Sequence, residues 1–304
     1  MPPSLPELPR LSGVVVHWRN EELLARLTAA WPRDPRFELV VVDNGSSGEL
    51  SLGPARLVQP GRNLGFGGGA NAGVAETRGP IVLILNPDAI PEEGALDRLL
   101  EGFEAISDVS GLAPKLVDPG GESQAGWQLR RLPSPWRLLL QAFPFAGAPA
   151  TGTEPEAGAP VEQPAAAALA FRREAFEGIG GFDDGFHPAW FEDVDLARRM
   201  KKQGLVLRYW PAAVFRHGLG STVPRLGYGC FLWIYYRNLT RYLRKHHGPF
   251  WALAFRIALV PGMAVRLFLL PLWRPRRARS RAEAVKGMLG VLAGTINGWR
   301  ERSS

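Results

Sequence analysis

Short, continuous apolar runs rich in β-branched residues recur through the first third of the chain, and helix-compatible stretches separate them. Strands that are buried on both faces of a parallel sheet have this pattern. We predict strands at residues 14–16, 39–42, 56–58 and 81–85, with helices at 20–31 and 69–78. The alternation predicts a doubly wound α/β sheet whose ligand binds outside the carboxyl ends of the strands.

Polar and turn-forming residues follow three of these runs directly, at 17–20, 43–48 and 86–88. Because the carboxyl ends of parallel strands lie at one edge of a sheet, we expect the three clusters to converge on one crevice. Taken alone, the cluster at Asp43 is better explained by a turn. An Asx turn and a cation ligand explain Asp88 equally well.

A glycine-rich passage spans residues 61–71 and opens a helix. Gly65, Gly67 and Ala70 fit the loose pattern of dinucleotide-binding turns, and Asp88 follows at the spacing of a ribose ligand. A nicotinamide-dependent oxidoreductase is therefore a competing interpretation. More than one predicted strand precedes the passage, however, whereas the dinucleotide pattern belongs to the first strand-to-helix turn.

Three acidic residues, Glu192, Asp193 and Asp195, stand at the start of a predicted helix and directly after Trp190 and Phe191. N-capping and the helix dipole explain Asp195 fully, but not three acids next to aromatic residues. A carboxylate beside aromatic walls is a good general base, because partial desolvation raises its affinity for a proton.

His217 follows the apolar strand predicted at 206–215 and is itself followed by glycines and a serine. A metal or diphosphate ligand is at least as good an interpretation as a structural histidine. Residues 144–168 are rich in Pro, Ala and Gly without periodicity, which predicts a mobile loop for most of this segment.

Charge divides the chain unevenly: the net charge is +7, yet residues 225–304 contain 15 Lys and Arg against two acids. A basic tail on a mildly acidic body is expected to meet an anionic surface, either lipid headgroups or nucleic acid. Its cations alternate with long aliphatic residues, which favours lipid. We therefore predict no nucleic-acid partner.

Residues 250–273 are long enough to span a membrane, but Arg256, Pro261 and Arg266 interrupt them. A central arginine costs about 2.5–3.5 kcal/mol on insertion scales. A pair of interfacial amphipathic helices with arginines at the headgroups is favoured over an ordinary helical subdomain. A single cysteine and the lack of a signal-like start predict a cytoplasmic protein, peripheral on the inner face of the membrane.

The motifs together resemble the family 2 glycosyltransferases of GT-A fold, in particular the rhamnosyltransferase-like branch of bacterial polysaccharide biosynthesis. The matching elements, in chain order, are VVDNGSS at 41–47, NLGFGGGANAG at 63–73, LNPD at 85–88, RREAF at 172–176, GGFD at 180–183, EDVDL at 192–196 and His217 with Ser221.

The resemblance implies a role for each candidate residue. Asp193 resembles the catalytic base, with Glu192 beside it, and Trp190 and Asp195 are expected near the acceptor. Asp88 and His217 would hold a divalent metal, Mn²⁺ or Mg²⁺. Asn86 stands where the family has a first acid, so only one protein carboxylate would bind the metal. The donor site would comprise Asp43, Asn44, Asn63, Gly65, Asn86, Asp88 and Ser221.

The resemblance also implies an inverting transferase that uses a nucleoside-diphosphate sugar, with dTDP-L-rhamnose as the favoured donor and a polyprenyl-linked saccharide as the favoured acceptor. A transferase using a UDP-linked hexose, N-acetylhexosamine or galactofuranose is the alternative, and a catalytically inactive scaffold is another. We predict a GT-A catalytic domain over 1–224, a mixed sheet flanked by helices, and a basic amphipathic helical region over 225–304. Within the catalytic domain, the nucleotide-sugar half is expected at about 11–120 and the acceptor half at about 121–224. Oligomerisation is left open.

Overall fold

The structure is a computed structural model that describes residues 8–46, 50–144, 154–218, 226–272 and 274–299. The chain divides into two compact units. The first comprises Met1–Leu132, Ala150–Pro188 and Glu192–Leu219, and the second comprises Pro133–Pro149, Ala189–Phe191 and Gly220–Ser304. The expected boundary between 224 and 225 lies outside the described residues.

A mixed eight-stranded sheet forms the centre of the first unit. Its order is β3-β2-β1-β4-β9-β6-β10-β5, and β7 pairs with β8 separately. The strands are β1 Leu11–His17, β2 Phe37–Asp43, β3 Arg56–Val58, β4 Ile81–Leu85, β5 Ala89–Pro91, β6 Gly111–Val117, β7 Leu129–Arg130, β8 Gln163–Pro164, β9 Ala168–Arg172 and β10 Leu207–His217.

The helices alternate with these strands and then follow them. They are α1 Glu21–Ala30, α2 Gly65–Ala75, α3 Ala95–Ala105, α4 Ala125–Gln128, α5 Pro135–Leu140, α6 Arg173–Gly178, α7 Glu192–Lys202, α8 Tyr228–His247, α9 Pro249–Leu269 and α10 Arg281–Asn297, with a 3₁₀ turn at Asp184–Phe186. Helices α5, α8, α9 and α10 belong to the second unit.

Burial on both faces explains the continuous apolar runs of β1, β2 and β4. In β1, Val14 pairs in register with Val40 of β2 and with Ile84 of β4, and all three are fully buried. One face of the sheet packs against α1 and α3, and the other against α2 and α7. The predicted α/β class is confirmed, but β9 and β5 run antiparallel to their neighbours. The sheet is therefore mixed, as the resemblance implied, and not uniformly doubly wound.

Helix α2 begins at Gly65, four residues before the predicted start at Gly69. Its glycines allow the helix to lie directly on the sheet. A Cβ at Gly73 would lie 2.3 Å from Cγ1 of Val14, and one at Gly69 would lie 2.8 Å from Cγ1 of Val16. Close packing against β1 therefore accounts for the glycines of this helix.

The segment predicted as a mobile loop is held in place where the structure describes it. Gly158 donates its backbone N–H to the carbonyl of Tyr209 at 2.7 Å, and the Tyr209 N–H donates to Ala159 at 2.9 Å. The Tyr209 hydroxyl also donates to the Glu154 carboxylate at 2.8 Å. Residues 154–162 are irregular, as the loop prediction requires, but they are hydrogen-bonded to the sheet, and β8 and β9 begin at Gln163 and Ala168. Residues 145–153 lie outside the described part.

The second unit is a helical assembly in which α8, α9 and α10 pack against one another. Helices α8 and α10 approach closely at Gly229 and Gly287, where a Cβ on Gly287 would lie 2.9 Å from the Gly229 Cα. Helix α9 is long and apolar enough to cross a membrane by length and composition, the only such helix found among the described residues.

The two arginines of α9 donate hydrogen bonds to backbone carbonyls of the second unit. Arg256 donates through Nε to the Thr295 carbonyl at 3.0 Å, and Arg266 donates through Nη2 to the Gln141 carbonyl at 3.2 Å. Both guanidinium groups therefore satisfy backbone carbonyls inside the second unit, and their expected place at lipid headgroups stays a prediction. Their positions in the sequence could not show this, because the direction of a side chain depends on which helices cover α9.

Candidate active site

Asn44 joins the end of β2 to the start of α2. Its side-chain Oδ1 accepts the Leu64 N–H at 2.7 Å, and its Nδ2 donates to the Gly65 carbonyl at 2.9 Å. The Asn63 side chain accepts the Gly65 N–H at 2.8 Å. These bonds fix the backbone of 63–65 beside the strand end, at the edge of the sheet where a nucleotide is expected.

Asp43 is the last residue of β2, and its side chain is nearly buried. Its Oδ1 accepts the backbone N–H of Ser46, three residues further on, at 2.9 Å, so the side chain closes a turn. The turn interpretation is therefore right for the local geometry. The hydrogen bond occupies one oxygen of the Asp43 side chain, and it holds that side chain at the C-terminal end of β2.

The glycines that resembled a dinucleotide-binding turn are explained by packing. Gly65 has φ +72°, and a Cβ there would lie 2.8 Å from the Pro188 carbonyl oxygen. A Cβ at Gly67 would lie 3.0 Å from the Cβ of Phe182. A side chain at Gly65 would clash with backbone, and one at Gly67 would require Phe182 to shift, so the pattern needs no dinucleotide phosphate to explain it.

Asp88 and His217 come together between β5 and the end of β10. Oδ1 of Asp88 lies 3.5 Å from Nε2 of His217, and both side chains are almost fully buried. The separation is longer than a normal N–H···O hydrogen bond. In the antiparallel pairing of β10 with β5, His217 is opposite Ala89, the residue after Asp88.

Gln124 determines which nitrogen of His217 carries the proton. Its Nε2 donates to the His217 carbonyl at 2.8 Å, which fixes the amide orientation, and its Oε1 contacts Nδ1 at 2.9 Å. An amide oxygen only accepts, so Nδ1 is the protonated nitrogen. Burial lowers the pKa of His217 to about 4. The ring is therefore neutral at pH 7, and Nε2 directs a lone pair towards the Asp88 carboxylate.

A lone pair facing a carboxylate is an arrangement that favours a cation. Imidazole and carboxylate are ligands for Mn²⁺, and ligands of hard divalent ions lie about 2.1 Å from the metal, which a 3.5 Å gap accommodates. A ligand histidine also usually donates its second N–H to a polar partner, as His217 does to Gln124. Among the described residues no cluster of three His, Cys, Asp or Glu assembles. A bound ion would take its other ligands from phosphate and water.

Asp193 is connected to this pair through two consecutive residues. The backbone N–H of Ala166 donates to the Asp193 carboxylate, and the carbonyl of Ala167 accepts the N–H of Asn86 at 2.8 Å. Asn86 is two residues before Asp88, so the segment leading into β9 lies between the two predicted parts of the site. Gln163 of β8 donates to Asp193 Oδ2 at 3.3 Å.

Two neighbouring carboxylates at the start of α7 favour binding a proton. Burial raises the pKa of Asp193, and the Arg130 charge and backbone N–H groups lower it in part. Burial and the Asp193 charge raise the pKa of Glu192 well above its usual range. Glu192 Oε2 is buried, with no hydrogen-bond partner in the part of the chain described here. Its Cβ would lie 3.7 Å from a Cβ placed on Gly67, which brings the pair next to the first turn of α2.

Sequence reasoning missed three residues that connect these groups. The Trp127 ring stacks on His217 with centroids 5.3 Å apart, and the Arg130 guanidinium lies 5.3 Å from the Trp127 centroid. With Gln124, they occupy a short stretch around α4 and β7. Neither element is long enough to show a hydrophobic period, so only the Trp and Arg residue types could have drawn attention.

Asp195 does not face an acceptor. Its side chain is fully buried and accepts from Arg199 Nε at 2.7 Å. Arg199 donates in turn to the carbonyls of Ile179 and Gly181, at 2.8 and 2.6 Å. Asp195 therefore holds α7 to the Gly180–Gly181 turn, because the apolar surroundings of a buried carboxylate require a charged partner.

Trp190 and Ser221 are the remaining predicted residues. The Trp190 ring packs edge-on against Phe231 at 5.0 Å, and Asn238 of α8 donates to the Trp190 carbonyl at 3.1 Å. Stacking of Trp190 on a sugar stays a prediction. Ser221 lies outside the described residues.

Comparison with known proteins shows that the chain is similar to enzymes that transfer sugars. Residues 14–146 match the family described as glycosyl transferase family 2. The chain is 28% identical over 286 residues to N-acetylglucosaminyl-diphospho-decaprenol L-rhamnosyltransferase of Mycobacterium tuberculosis, covering 86% of this chain and 91% of that protein.

Two solved structures show a similar fold. The first is mannosyltransferase PcManGT from Pyrobaculum calidifontis in complex with GDP-Man and Mn²⁺, with a TM-score of 0.54 and 16% identity over 97% of this chain and 89% of that one. The second is GalNAc-T7 with UDP, GalNAc and Mn²⁺, with a TM-score of 0.59 and 14% identity over 96% of this chain and 56% of that one. At these identities the likeness concerns the fold.

Proposed function

Because the chain is a family 2 glycosyltransferase of GT-A fold, we propose that it transfers L-rhamnose from dTDP-L-rhamnose to a saccharide on a polyprenyl diphosphate, with inversion at the anomeric carbon. The observation that carries the proposal is the neutral His217 whose Nε2 faces Asp88 at 3.5 Å. The name of the mycobacterial relative supports rhamnose and a lipid-linked acceptor. The product would enter the synthesis of a cell-surface polysaccharide.

The donor would lie along the carboxyl edge of the sheet. Asp43 and Asn44 would contact the nucleoside, Asn63 and Gly65 would line its pocket, and Asn86 would face the diphosphate. Asp88 and His217 would hold Mn²⁺ or Mg²⁺, which when bound neutralises negative charge on the departing diphosphate. Gln124 keeps Nε2 of His217 unprotonated for this role.

Asp193 would act as the general base. It would accept the proton of the acceptor hydroxyl while that oxygen bonds to the anomeric carbon, on the face opposite the diphosphate. The bond from the anomeric carbon to the diphosphate oxygen breaks in the same step, and the diphosphate keeps the electron pair. The raised pKa of Asp193 suits this role, because a base works best when its pKa is near the working pH. Glu192 beside it would keep the site dry and position the base.

The enzyme would work in the cytoplasm on the inner face of the membrane, where a polyprenyl-linked acceptor is anchored. The basic residues of 225–304 would hold it there by attraction to anionic lipid.

A donor screen with a base variant tests the proposal. Thermal unfolding in Mn²⁺ should show stabilisation by dTDP-L-rhamnose above UDP-linked sugars, because ligand that binds only the folded state raises its stability. Asp193→Asn should bind the donor as the wild type does and form no product. Asp108→Asn, a variant at an exposed carboxyl, should turn over normally.

Three results would contradict the proposal. If only a UDP-linked sugar stabilised the protein, that sugar and not dTDP-L-rhamnose would be the donor. A product with retained anomeric configuration would exclude the inverting step. Turnover near the wild-type rate in Asp193→Asn would exclude Asp193 as the general base.

A further inference from the structure

Helix α9 carries a row of apolar side chains on its exposed side. Their spacing of three and four residues places them on one face of the helix. With a rise of 1.5 Å per residue, this face is about 27 Å long. Its most exposed members are Phe250, Leu253, Ile257 and Phe268, at 71%, 55%, 63% and 80% exposure. We call the row, completed by Val260 and Ala264, the α9 face.

The polarity of α9 is the reverse of that expected for a surface helix in water. A surface helix normally turns its apolar side inward and its charges outward. In α9 both charged residues, Arg256 and Arg266, donate to backbone carbonyls inside the second unit. The row of outward residues therefore contains no charge over its whole length.

The same apolar surface continues onto α5. Trp136 is 66% exposed and packs edge-on against Trp251 of α9, with ring centroids 4.7 Å apart. Leu140, one turn further along α5, is also exposed. A patch of this extent on a single helical unit marks an interaction site. Tryptophan is also enriched at the boundary between lipid and water.

Exposed cations follow this surface in the sequence, and acids are nearly lacking there. Glu283 is the only acidic residue in the sequence between Leu226 and Trp299. Its carboxylate accepts backbone N–H groups of Tyr228 and Arg279. Exposed cations follow α9 directly, at Arg274, Arg276, Arg277, Arg279, Arg281 and Lys286. An uncharged apolar face beside a group of cations is complementary to anionic lipid.

We propose that the α9 face, with Trp136 and Leu140, inserts into an anionic phospholipid bilayer with the helix axis parallel to the membrane. The opposite side of α9 excludes a spanning arrangement, because Phe255, Leu259 and Met263 are fully buried within the second unit. A spanning helix would have to give up this packing. The proposal deepens the proposed membrane location, and it does not depend on the donor or on the chemistry.

Vesicle binding by the full chain, measured without donor, tests the proposal. The wild type should bind vesicles of phosphatidylcholine with phosphatidylglycerol more tightly than phosphatidylcholine alone. Part of this binding should persist in about 1 M KCl, where the Debye length is about 3 Å. The double variant Ile257→Glu with Phe268→Glu should bind at least about tenfold more weakly, because two apolar anchors are lost. Leu8→Glu, the same change at a 69% exposed leucine of the first unit, should bind as the wild type does.

Three outcomes would overturn the proposal. Unchanged vesicle binding by the double variant would do so, as would complete loss of wild-type binding in high salt, which would leave charge alone as the cause. A dimeric wild type that becomes monomeric in the double variant, with vesicle binding unchanged, would assign the α9 face to a second copy of the chain. Should the glutamates prevent folding, Ile257→Ser with Phe268→Ser gives the same comparison. Transfer to a soluble acceptor, assayed separately, reports on the proposed reaction.

Discussion

Replacing Gln124 by Met tests whether the amide of Gln124 prepares His217 for a metal. The substitution keeps the length of the side chain and removes two hydrogen bonds, of 2.8 and 2.9 Å, both to His217. Without an acceptor at Nδ1, the imidazole is free to change tautomer and to rotate, so Nε2 is no longer held towards Asp88.

The expected loss follows from what such partners contribute elsewhere. Removing the group that orients a ligand histidine typically costs 10–100-fold in metal affinity, or about 1.4–2.7 kcal/mol. The variant also leaves buried polar groups unpaired, at about 1–3 kcal/mol of stability each. A control must therefore separate metal affinity from general destabilisation.

Gln128 provides that control. It is fully buried, four residues away, and also makes two hydrogen bonds: its Oε1 accepts the Leu116 N–H at 3.2 Å, and its Nε2 donates to the Pro114 carbonyl at 2.7 Å. Gln128→Met should lower the melting temperature as much as Gln124→Met does. It should leave the metal requirement unchanged, because it does not touch His217.

The assay is the initial rate of transfer as a function of Mn²⁺ concentration, with calorimetric titration of Mn²⁺ in the presence of nucleotide. Gln124→Met should need about 10–100-fold more Mn²⁺ for half-maximal rate and recover most of kcat when saturated. Equal Mn²⁺ dependence in both variants, or a wild-type dependence in Gln124→Met, would refute the reasoning about the tautomer.

Three further predictions concern the base and the nucleotide side of the site. The positive charge of Arg130 lowers the pKa of Asp193, so Arg130→Gln should raise that pKa further. The acidic limb of the pH profile of kcat/KM should then shift to higher pH. Arg131→Gln, at an exposed neighbouring position, should leave the profile unchanged. The pKa of Glu192 is higher in the folded than in the unfolded state, so its carboxyl reduces stability as the pH rises above the usual glutamate range. Glu192→Gln should therefore increase the free energy of unfolding at pH 8 by about 1–3 kcal/mol, with little change at pH 4, in chemical denaturation. Asn44→Ala removes both side-chain bonds to 64–65 and should raise the KM for the donor about tenfold with a smaller effect on kcat, as measured by steady-state kinetics.

The strands that position the site were predictable, because a strand that is buried on both faces has a continuous run of apolar residues in its sequence. Residues 39–42 and 81–85 were correctly recognised as strands, and Asp43 and Asn86 follow them. Asp88 and His217 were expected together, and they lie 3.5 Å apart. That they bind a metal, and that Asp193 is the base, stay predictions.

Residues whose roles depend on long-range contacts were not predictable. Gln124 is 93 residues from His217 in the sequence, and it lies outside any periodic segment. Asp195 looked like a member of an acidic site until its burial against Arg199 was known. Arg256 interrupted an apolar run in the sequence, but in the structure it points away from the exposed side of α9.

The contacts of Ala166 and Ala167 suggest a way to change which acceptor hydroxyl is used. These two adjacent residues connect Asp193, the proposed base, to the segment that carries Asp88, a proposed metal ligand, so a single inserted residue would move one relative to the other by up to about 3.8 Å. A displacement of only 1 Å can cost about a hundredfold in rate. We expect the length of the segment at Ala166 and Ala167 to determine which acceptor hydroxyl reaches the proposed base. Insertions or deletions there would therefore change linkage specificity without replacing a reactive group.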